Sequence, residues 1–496
     1  MALDAVPGGV LSECAFVMLS PRKLGIVAMA CVKLRRCAKD AILQRTRAIG
    51  LECRDGETMG SLLFALHVLL PQTTTASTIG PCVVQASCGD AHTAVINSEG
   101  ELLTFGSGRE GQLGHGVRDS ELVPRRVEAL AGRCVVQVSC GREHTAVITS
   151  TGELLTFGCG TFAQLGHGGQ GTELVPRRVE GTLVGKRVVQ VVCGGNHTAV
   201  ITSTGELFTF GDGMDGQLGH GELGSVFLIN APQRVEALRG ERVVQVACGV
   251  VHTAVLTSGG DIFTFGSGRD GMLGHGGTNN ELVPRRVRAL VGRWVVQVAC
   301  GTNHTAVVTS TGELFTFGYG RKGNLGHNSE NEKVWVPRRV DALVGKHVVQ
   351  VSCGVLYTAV ITSDGELFTF GCGGEGQLGH GGKEDEEVPR RVDALVGKRV
   401  MQVSCGRFHT AAVTSDGELF TFGSGRDGKL GHGGTNSSLV PRWVEGTLRG
   451  KHVVQVECGF MHTTVLTTDG EIFTFGSGEF GQLGHGGEEG ELVPRR

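Results

Sequence analysis

A cysteine and a histidine recur together along the chain at a spacing that could serve a metal ion. The pattern Cys-Gly-x-x-His occurs seven times, for example at Cys140 and His144. A zinc ion needs four ligands that converge on one point, whereas these pairs recur at intervals and would be spread over the molecule. Tyr357 stands at the histidine position of a further copy, so the position accepts a residue that need not bind metal. We therefore expect no metal site, and interpret the pair as a small buried thiol and a hydrogen-bonded turn histidine.

A second histidine lies inside Leu-Gly-His, and this motif also recurs along the chain. A residue that is present in every copy serves the repeated structure rather than one site. Glycines such as Gly106 and Gly108 precede no helix that could bind a phosphate, and the Gly-x-Ser-x-Gly turn of serine hydrolases is missing from the sequence. We expect neither a catalytic residue nor a cofactor. The second histidines are His115, His167, His220, His275, His327, His380, His432 and His485.

These motifs belong to a repeat of about 52 residues, of which Val135 to Leu183 is one complete unit. Three runs in each unit are rich in β-branched and aromatic residues, and glycine-rich turns separate them, which predicts antiparallel strands. A fourth run contains proline, which cannot donate to a strand ladder, so we place it on the outer edge. The Cys-Gly pair marks the eight units at Cys88, Cys140, Cys193, Cys248, Cys300, Cys353, Cys405 and Cys458.

A four-stranded sheet of this length must be covered on both faces by its neighbours, as in a propeller blade. A linear solenoid is the competing arrangement. We favour a ring because the first unit (Val83 to Leu130) and the last unit (Val453 to Arg496) lack the polar capping repeats of an open stack. The sequence therefore predicts an all-β propeller of seven to eight four-stranded blades, preceded by a small all-α segment.

The units resemble the regulator of chromosome condensation repeat in reading Gly-x-x-His-Thr, Glu-Leu-Phe-Thr-Phe-Gly, Gln-Leu-Gly-His-Gly and Val-Pro-Arg-Arg-Val. The resemblance spans Cys82 to Arg496. The family usually has Trp-Gly where this chain has Phe-Gly, as at Phe157, which we interpret as a swap within the core. The resemblance implies seven blades, whereas eight units are present. Either the ring has eight blades, or the final unit is partial and supplies a closing strand.

The amino-terminal residues resemble an F-box, with apolar positions at helical spacing and a Leu-Ser-Pro-x-x-Leu turn at Leu19 to Leu24. The segment departs from that family in having Val6-Pro7 for Leu-Pro and no tryptophan near Ile42 to Gln44. A helical cap on the propeller is the alternative. We divide the chain into an F-box-like segment (1–50), a docking helix and linker (51–80) and the propeller (81–496). The resemblance implies adaptor-binding residues at Val10, Leu11, Leu19, Pro21, Leu24 and Val32.

The composition is typical of an intracellular globular protein. The formal net charge is −3, so the sequence lacks the basic character of a nucleic-acid-binding domain. The first residues lack the positive charge of a signal peptide, and we expect the 16 cysteines to be reduced. Apolar stretches such as Leu62 to Leu70 are shorter than the roughly 20 residues that cross a bilayer. We expect a monomer in the cytoplasm or nucleus that binds no membrane.

The two residues between glycine and histidine in each Gly-x-x-His turn vary between units. All eight turns are equivalent, so they would lie on one rim of the propeller. Units four, six, seven and eight carry large apolar residues there. Adjacent blades would join these residues into an exposed apolar patch of the kind that marks a protein-binding surface. Variation at loop tips without function is the alternative. Our candidate partner-binding residues are Arg142, Val250, Val251, Val355, Leu356, Arg407, Phe408, Phe460 and Met461.

Two functions follow from the resemblances. An F-box implies docking on a Skp-type adaptor of a cullin-RING ubiquitin ligase, with the propeller presenting an unidentified target. The founding member of the repeat family implies guanine-nucleotide exchange on a Ran-like GTPase, through an inserted β-hairpin wedge. The longest unit here exceeds the shortest by only three residues, which lie within Glu222 to Pro232. So short an insertion disfavours a wedge. We expect a substrate receptor that is not an enzyme, with nucleotide exchange as the alternative.

Ultraviolet sensing is a third function found in this family, in plant photoreceptors that place tryptophans in their Gly-x-x-His turns. None of the eight turns here contains a tryptophan. The three tryptophans, Trp294, Trp335 and Trp443, stand at other positions of the repeat, so we do not expect photoreception.

Overall fold

The computed structural model describes residues 82–221, 227–328 and 333–496. The predicted F-box-like segment (1–50), the docking helix and linker (51–80) and the six predicted adaptor-binding residues lie outside the described residues. Everything that follows concerns the repeat region.

The described residues form 32 strands, which pair as eight separate four-stranded antiparallel sheets. The strands are, sheet by sheet, Val83–Cys88, His92–Asn97, Leu102–Gly106 and Glu121–Arg126 (β1–β4); Val135–Cys140, His144–Thr149, Leu154–Gly158 and Glu173–Arg178 (β5–β8); Val188–Cys193, His197–Thr202, Leu207–Asp212 and Leu228–Arg234 (β9–β12); Val243–Cys248, His252–Thr257, Ile262–Gly266 and Glu281–Arg286 (β13–β16); Val295–Cys300, His304–Thr309, Leu314–Tyr319 and Lys333–Arg339 (β17–β20); Val348–Cys353, Tyr357–Thr362, Leu367–Gly371 and Glu386–Arg391 (β21–β24); Val400–Cys405, His409–Thr414, Leu419–Gly423 and Ser438–Trp443 (β25–β28); Val453–Cys458, His462–Thr467, Ile472–Gly476 and Glu491–Arg495 (β29–β32).

Short 3-10 helices complete the secondary structure of the described residues. One follows the fourth strand of each of the first seven sheets, and another lies in a loop of the seventh. They span Glu128–Leu130, Gly181–Leu183, Glu236–Leu238, Arg288–Leu290, Asp341–Leu343, Asp393–Leu395, Arg426–Gly428 and Gly446–Leu448.

Within each sheet, or blade, the strands follow chain order from the centre of the molecule outward. The first strands of adjacent blades are hydrogen-bonded to each other: Gln85 donates its side-chain amide to the carbonyl of Val138. The second strands, such as His92–Asn97, are buried along their whole length. The fourth strands are the most exposed and carry the proline, which confirms the predicted outer edge.

The eight blades close into a ring, because the last blade packs on the first. The Thr93 hydroxyl donates to the carbonyl of Gln482 at 2.9 Å, and the Val83 amide donates to the carbonyl of Gly470 at 2.8 Å. The last blade has all four strands, each from its own repeat. The expectation of a ring is therefore confirmed, and the open question of seven or eight blades is decided in favour of eight, without an exchanged closing strand.

The hydrophobic core lies between blades rather than within them. One cluster joins Ala94, Ile96 and Leu102 of blade 1 to Val135, Val147 and Phe157 of blade 2. The phenylalanine of each Phe-Gly pair is at most 1 % exposed. It packs on the glycine of Leu-Gly-His in the preceding blade, where a Cβ on Gly114 would lie 2.9 Å from the Phe157 ring. No blade can bury its apolar residues alone, so the blades depend on each other.

Two further features concern the cysteines and the membrane. The twelve cysteines in the described ranges are all free thiols. A search of the same residues for a helix with the length and apolar character of a membrane span finds none.

Candidate functional site

The Gly-x-x-His turns and the loops between the third and fourth strands lie on the same rim of the ring, which we call the upper rim. The first residue of the second strand pairs with the last residue of the third, for example His409 with Gly423. The connections at those two ends must therefore be neighbours. The upper rim thus combines two variable loops from every blade.

A continuous chain of hydrogen bonds beneath the upper rim holds the blades in register. In seven blades the histidine Nε2 lies 2.9 to 3.1 Å from a threonine hydroxyl of the next blade, as His144 does from Thr198. Each such threonine donates its proton to a carbonyl of the preceding blade, as Thr198 does to Gln164. The threonine can then only accept from the histidine, so Nε2 carries a proton.

The histidine also explains the glycine that precedes it in the motif. A Cβ added to Gly141 would lie 2.3 Å from Cε1 of His144, so no larger residue fits. Nδ1 of His144 is buried and has no hydrogen-bond partner in the described part of the chain. Burial lowers the pKa of His144 to about 3, because a charged ring would lie in a site without water or a second acceptor.

In blade 6, Tyr357 replaces the histidine and also makes a hydrogen bond to the next blade. The Tyr357 hydroxyl donates to the carbonyl of His409 in blade 7 at 2.6 Å. Tyr357 is completely buried. The histidine position of the Cys-Gly-x-x-His motif therefore forms a hydrogen bond between adjacent blades. The sequence predicts the hydrogen bond but not that it joins two blades.

The histidines of the second series form hydrogen bonds within their own blades. Thr156 donates to the carbonyl of Leu165, and its hydroxyl lies 2.9 Å from Nε2 of His167. Burial is the main cause of the lowered pKa of His167. The other seven Leu-Gly-His histidines make the same contact with a threonine hydroxyl of their own blade, at 2.7 to 2.9 Å, so all eight serve the blade.

The cysteines of the motif face the first strand of the neighbouring blade. Cys140 donates its thiol to the carbonyl of Ser87 at 3.4 Å, and burial raises the pKa of Cys140 to about 12. A thiol with a raised pKa is a poor nucleophile and a poor metal ligand. In the described ranges, His, Cys, Asp and Glu side chains form no group of three or more that could hold a metal ion.

The variable residues of blades 7 and 8 form one contiguous cluster on the upper rim. The guanidinium carbon of Arg407 lies 4.4 Å from the ring centre of Phe460 and 5.0 Å from that of Phe408. Phe460 is 37 % exposed. The guanidinium therefore stacks on two aromatic rings from different blades. Met461 is the next residue of the blade 8 turn.

Two further upper-rim residues, at the junction of blades 8 and 1, were not singled out by the sequence analysis. Phe480, in the loop between β31 and β32, lies under the guanidinium of Arg109 from blade 1 at 5.1 Å. The signal was present in the sequence, because most units carry an acidic residue where Phe480 stands. We refer to Arg407, Phe408, Phe460 and Met461 as the rim cluster.

Lys429 is the third residue that the sequence analysis missed. It lies in the loop between β27 and β28, is 1 % exposed, and places its Nζ 3.7 Å from the sulfur of Met461. Five units carry glutamine at this position, so a lysine there could have been noticed.

The remaining predicted rim residues lie on the upper rim but outside the rim cluster. Arg142 pairs with Asp90 of blade 1 at 3.5 Å, and both side chains are exposed. Val250 is 50 % exposed and Val251 is half-buried. Val355 and Leu356 are half-buried in blade 6, next to blade 7. Blade 5 separates the blade 4 valines from the others, so the predicted apolar patch is not a single surface.

The fold and the rim define this molecule as an eight-bladed β-propeller whose blades are joined by a histidine–threonine ring. The RCC1-like domain matches residues 51–355, and the regulator of chromosome condensation (RCC1) repeat matches residues 364–413, 416–466 and 469–496. The chain belongs to the RCC1 repeat family.

Several relatives cover most of this chain. It is 36% identical over 364 residues to the ultraviolet-B receptor UVR8 of Arabidopsis thaliana, a match covering 73% of this chain and 82% of the receptor. It is 36% identical over 383 residues to the human E3 ubiquitin-protein ligase HERC2, covering 76% of this chain but 8% of the ligase. It is also 37% identical to the human probable E3 ubiquitin-protein ligase HERC4, covering 70% of this chain and 32% of the ligase.

Solved structures share the fold. The structure of human WBSCR16 superposes with a TM-score of 0.62 at 28% identity, covering 74% of this chain and 98% of that chain. Prp20p from Saccharomyces cerevisiae gives a TM-score of 0.58 at 21% identity, covering 72% of this chain and 89% of that chain.

Proposed function

We propose that the propeller is a protein-binding domain whose contact surface is centred on the rim cluster, and that it works by binding rather than by catalysis. The observation that carries this proposal is the stacking of Arg407 on Phe408 and Phe460, two exposed or half-exposed aromatic residues from adjacent blades. Aromatic residues, arginine and methionine are the types that dominate the energy of protein interfaces.

The surrounding structure supports a binding surface because it makes the rim rigid. His409 and His462, which end the two turns, are each bonded to a threonine of the next blade. The side chains between the strands therefore start from fixed positions, and little conformational entropy is lost when a partner binds.

We propose further that the full chain is a substrate receptor of a cullin-RING ubiquitin ligase. The F-box-like segment would bind a Skp-type adaptor through Val10, Leu11, Leu19, Pro21, Leu24 and Val32, while the rim cluster binds the target. Two relatives, HERC2 and HERC4, are ubiquitin ligases that contain a region similar to this propeller. Their catalytic function lies in chains of which this region is a small part, so the link to ubiquitin is a hypothesis.

Target binding is tested with the double variant Phe408→Ala and Phe460→Ala in the full chain. Proteins crosslinked to the wild-type rim are identified, and the affinity of the main partner is then measured with purified components. We expect the double variant to weaken binding at least about 100-fold, since aromatic hot spots contribute about 2 kcal/mol or more each. The matched control is Phe162→Ala, which removes an exposed upper-rim phenylalanine from blade 2. Equal affinity in the double variant and the control would contradict the proposal.

Adaptor binding is tested separately by co-purifying the full chain with a Skp-type adaptor. Changing both Leu19 and Leu24 to Asp should abolish the complex, because charged groups would replace apolar contacts. An unchanged complex, or no complex with the wild type, would exclude the substrate-receptor hypothesis while leaving the rim proposal standing. Release of labelled guanine nucleotide from a Ran-like GTPase distinguishes the alternative, and we expect no acceleration.

A further inference from the structure

The loop that carries Lys429 differs from the corresponding loops of other blades. In five blades a glutamine accepts a hydrogen bond from the backbone amide two residues earlier, at 2.9 Å. These glutamines are Gln112, Gln164, Gln217, Gln377 and Gln482. Lysine has no acceptor, so Lys429 cannot make this bond. The blade itself therefore gains nothing from a lysine here.

The backbone beside Lys429 is unusual as well. Asp427 has φ 62°, and it is one of three non-glycine residues with positive φ in the described ranges. Its Oδ2 is buried and has no hydrogen-bond partner among the described residues. Such departures cost stability, and they persist most often at functional sites.

Lys429 itself is placed at a cost. Burial lowers the pKa of Lys429, the carboxylate of Asp427 opposes that shift, and no carboxylate forms an ion pair with Nζ in the described part of the chain. The group nearest to Nζ is the thioether of Met461, which is a weak acceptor. A buried ammonium group without a directly bonded anion is disfavoured. The carboxylates of Asp427 and Glu375 act on Lys429 electrostatically but form no ion pair with Nζ among the described residues.

Arg407 also lacks a directly bonded anion at the surface, and its charge acts on the carboxylate of Asp90 in blade 1 without an ion pair. Its planar faces are covered by Phe408 and Phe460, but its N–H groups form no hydrogen bond or ion pair with another described residue. Arg142, at the equivalent position of blade 2, pairs with Asp90. Guanidinium stacking leaves the donor edge free for a carboxylate or phosphate.

The two cations face the same turn of blade 8, since Arg407 packs on Phe460 and Lys429 lies beneath Met461. We propose that the junction of blades 7 and 8 recognises an acidic side chain of a protein partner, which displaces Met461 and binds between Lys429 and Arg407, with an apolar neighbour packed on Phe408 and Phe460. This proposal rests on the proposed function of the rim cluster and specifies the chemistry of the partner.

The proposal is tested by selecting peptides from a random phage-displayed library on the full chain. We expect the selected peptides to carry Asp or Glu next to a large apolar residue. Synthetic copies of the best peptide, with Glu, Gln or phosphoserine at the acidic position, are then titrated into the purified protein. The Gln copy should bind at least about tenfold more weakly than the Glu copy. If the phosphoserine copy binds more tightly than the Glu copy, the site binds an anion but prefers phosphate to carboxylate.

Lys429→Gln is the decisive variant, because it installs the residue that five other blades carry. It should weaken binding of the Glu peptide about tenfold, because one of the two cations is lost. It should also raise the Tm of the protein, because it removes a desolvated amine and restores a hydrogen bond. Arg407→Gln should weaken peptide binding by a similar factor. The matched control Arg118→Gln, at an exposed arginine in the upper-rim loop of blade 1, should leave binding unchanged.

The outcomes separate this proposal from the one on which it rests. If the Gln copy binds as well as the Glu copy, or if Lys429→Gln and Arg407→Gln bind normally, the acidic-side-chain site is excluded. If the Phe408→Ala and Phe460→Ala double variant nevertheless loses the peptide, the rim cluster remains a binding surface. If the double variant binds normally as well, both proposals fail.

Discussion

The turn histidines are neutral because they are buried and their Nδ1 atoms have no hydrogen-bond partner among the described residues, while the threonines that they contact fix the proton on Nε2. The Thr198 hydroxyl gives its proton to the Gln164 carbonyl, so His144 must donate from Nε2, and its buried Nδ1 stays unprotonated. The same arrangement recurs in seven blades. A residue that looks reactive in the sequence is therefore held in one protonation state by its surroundings.

This arrangement predicts that the free energy of unfolding falls as the pH falls below 6.5. Burial lowers the pKa of the seven histidines to between about 3 and about 4, against a normal value of 6.5. Between those values only the unfolded chain takes up the protons, so each histidine costs about 1.4 kcal/mol per pH unit. Stability is complete above pH 6.5.

Urea unfolding at a series of pH values between 7.5 and 5 measures this slope. The variant His252→Tyr places in blade 4 the tyrosine that blade 6 carries at this position. It should reduce the slope of free energy against pH by the contribution of one histidine. A free energy of unfolding that is constant across this range would contradict the assigned protonation state.

At the scale of the strand, the glycine that follows phenylalanine at the end of each third strand cannot be replaced by a larger residue. Gly158 has φ 108°, and a Cβ there would lie 2.6 Å from the carbonyl oxygen of Glu143 and 2.8 Å from Cα of His144. The backbone of the Gly-x-x-His turn therefore packs directly on this glycine. The two loops of the upper rim are positioned by that contact.

Gly158→Ala should destabilise the protein by about 3 kcal/mol or more, because it combines a disfavoured φ with a clash against backbone. The matched control is Gly185→Ala, which has φ 78° and no atom within 4 Å of the added Cβ. It should cost only about 1 kcal/mol. Chemical unfolding of both variants checks the difference, and equal losses would show that the close contact is unimportant.

At the scale of the whole molecule, the ring is closed by contacts of the same kind as those between other blades. His462 of blade 8 bonds to Thr93 of blade 1 at 3.0 Å, as His144 bonds to Thr198. The contact is not identical, since the amide of Gln455 donates to Glu457 in its own strand instead of to the next blade. The histidine–threonine bonds thus continue across the closure, while the closing junction lacks the glutamine bridge that joins six other pairs of adjacent blades.

A circular permutant tests whether this closing contact is equivalent to the others. In a propeller of residues 82–496, the old ends are joined by a copy of residues 392–398, and new ends are opened within 288–294. We expect cooperative thermal unfolding within a few degrees of the unpermuted propeller, because every blade comes from one continuous segment. An aggregating or non-cooperative permutant would mean that the last blade closes the ring in a special way.

Most of the fold could be predicted because the sequence of each repeat contains local signals for its own strands and turns. The β-branched runs, the turn glycines and the outer proline strand are local signals, and the structure confirms them. The rim was predicted only in part, since Lys429 and Phe480 stand out only when their loops are compared with the loops of other units. The F-box-like segment and its adaptor remain predictions.

The sequence by itself determined the blade, its strand order and the structural role of both histidine series, because these depend on contacts that recur in every unit. Only the tertiary structure decided that eight blades close, since Thr93 and His462 are 369 residues apart. It also decided which variable residues meet: Arg407 contacts Phe460 across a blade junction, and Lys429 lies buried beneath Met461. Contacts between units depend on how the blades stack, which no single repeat encodes.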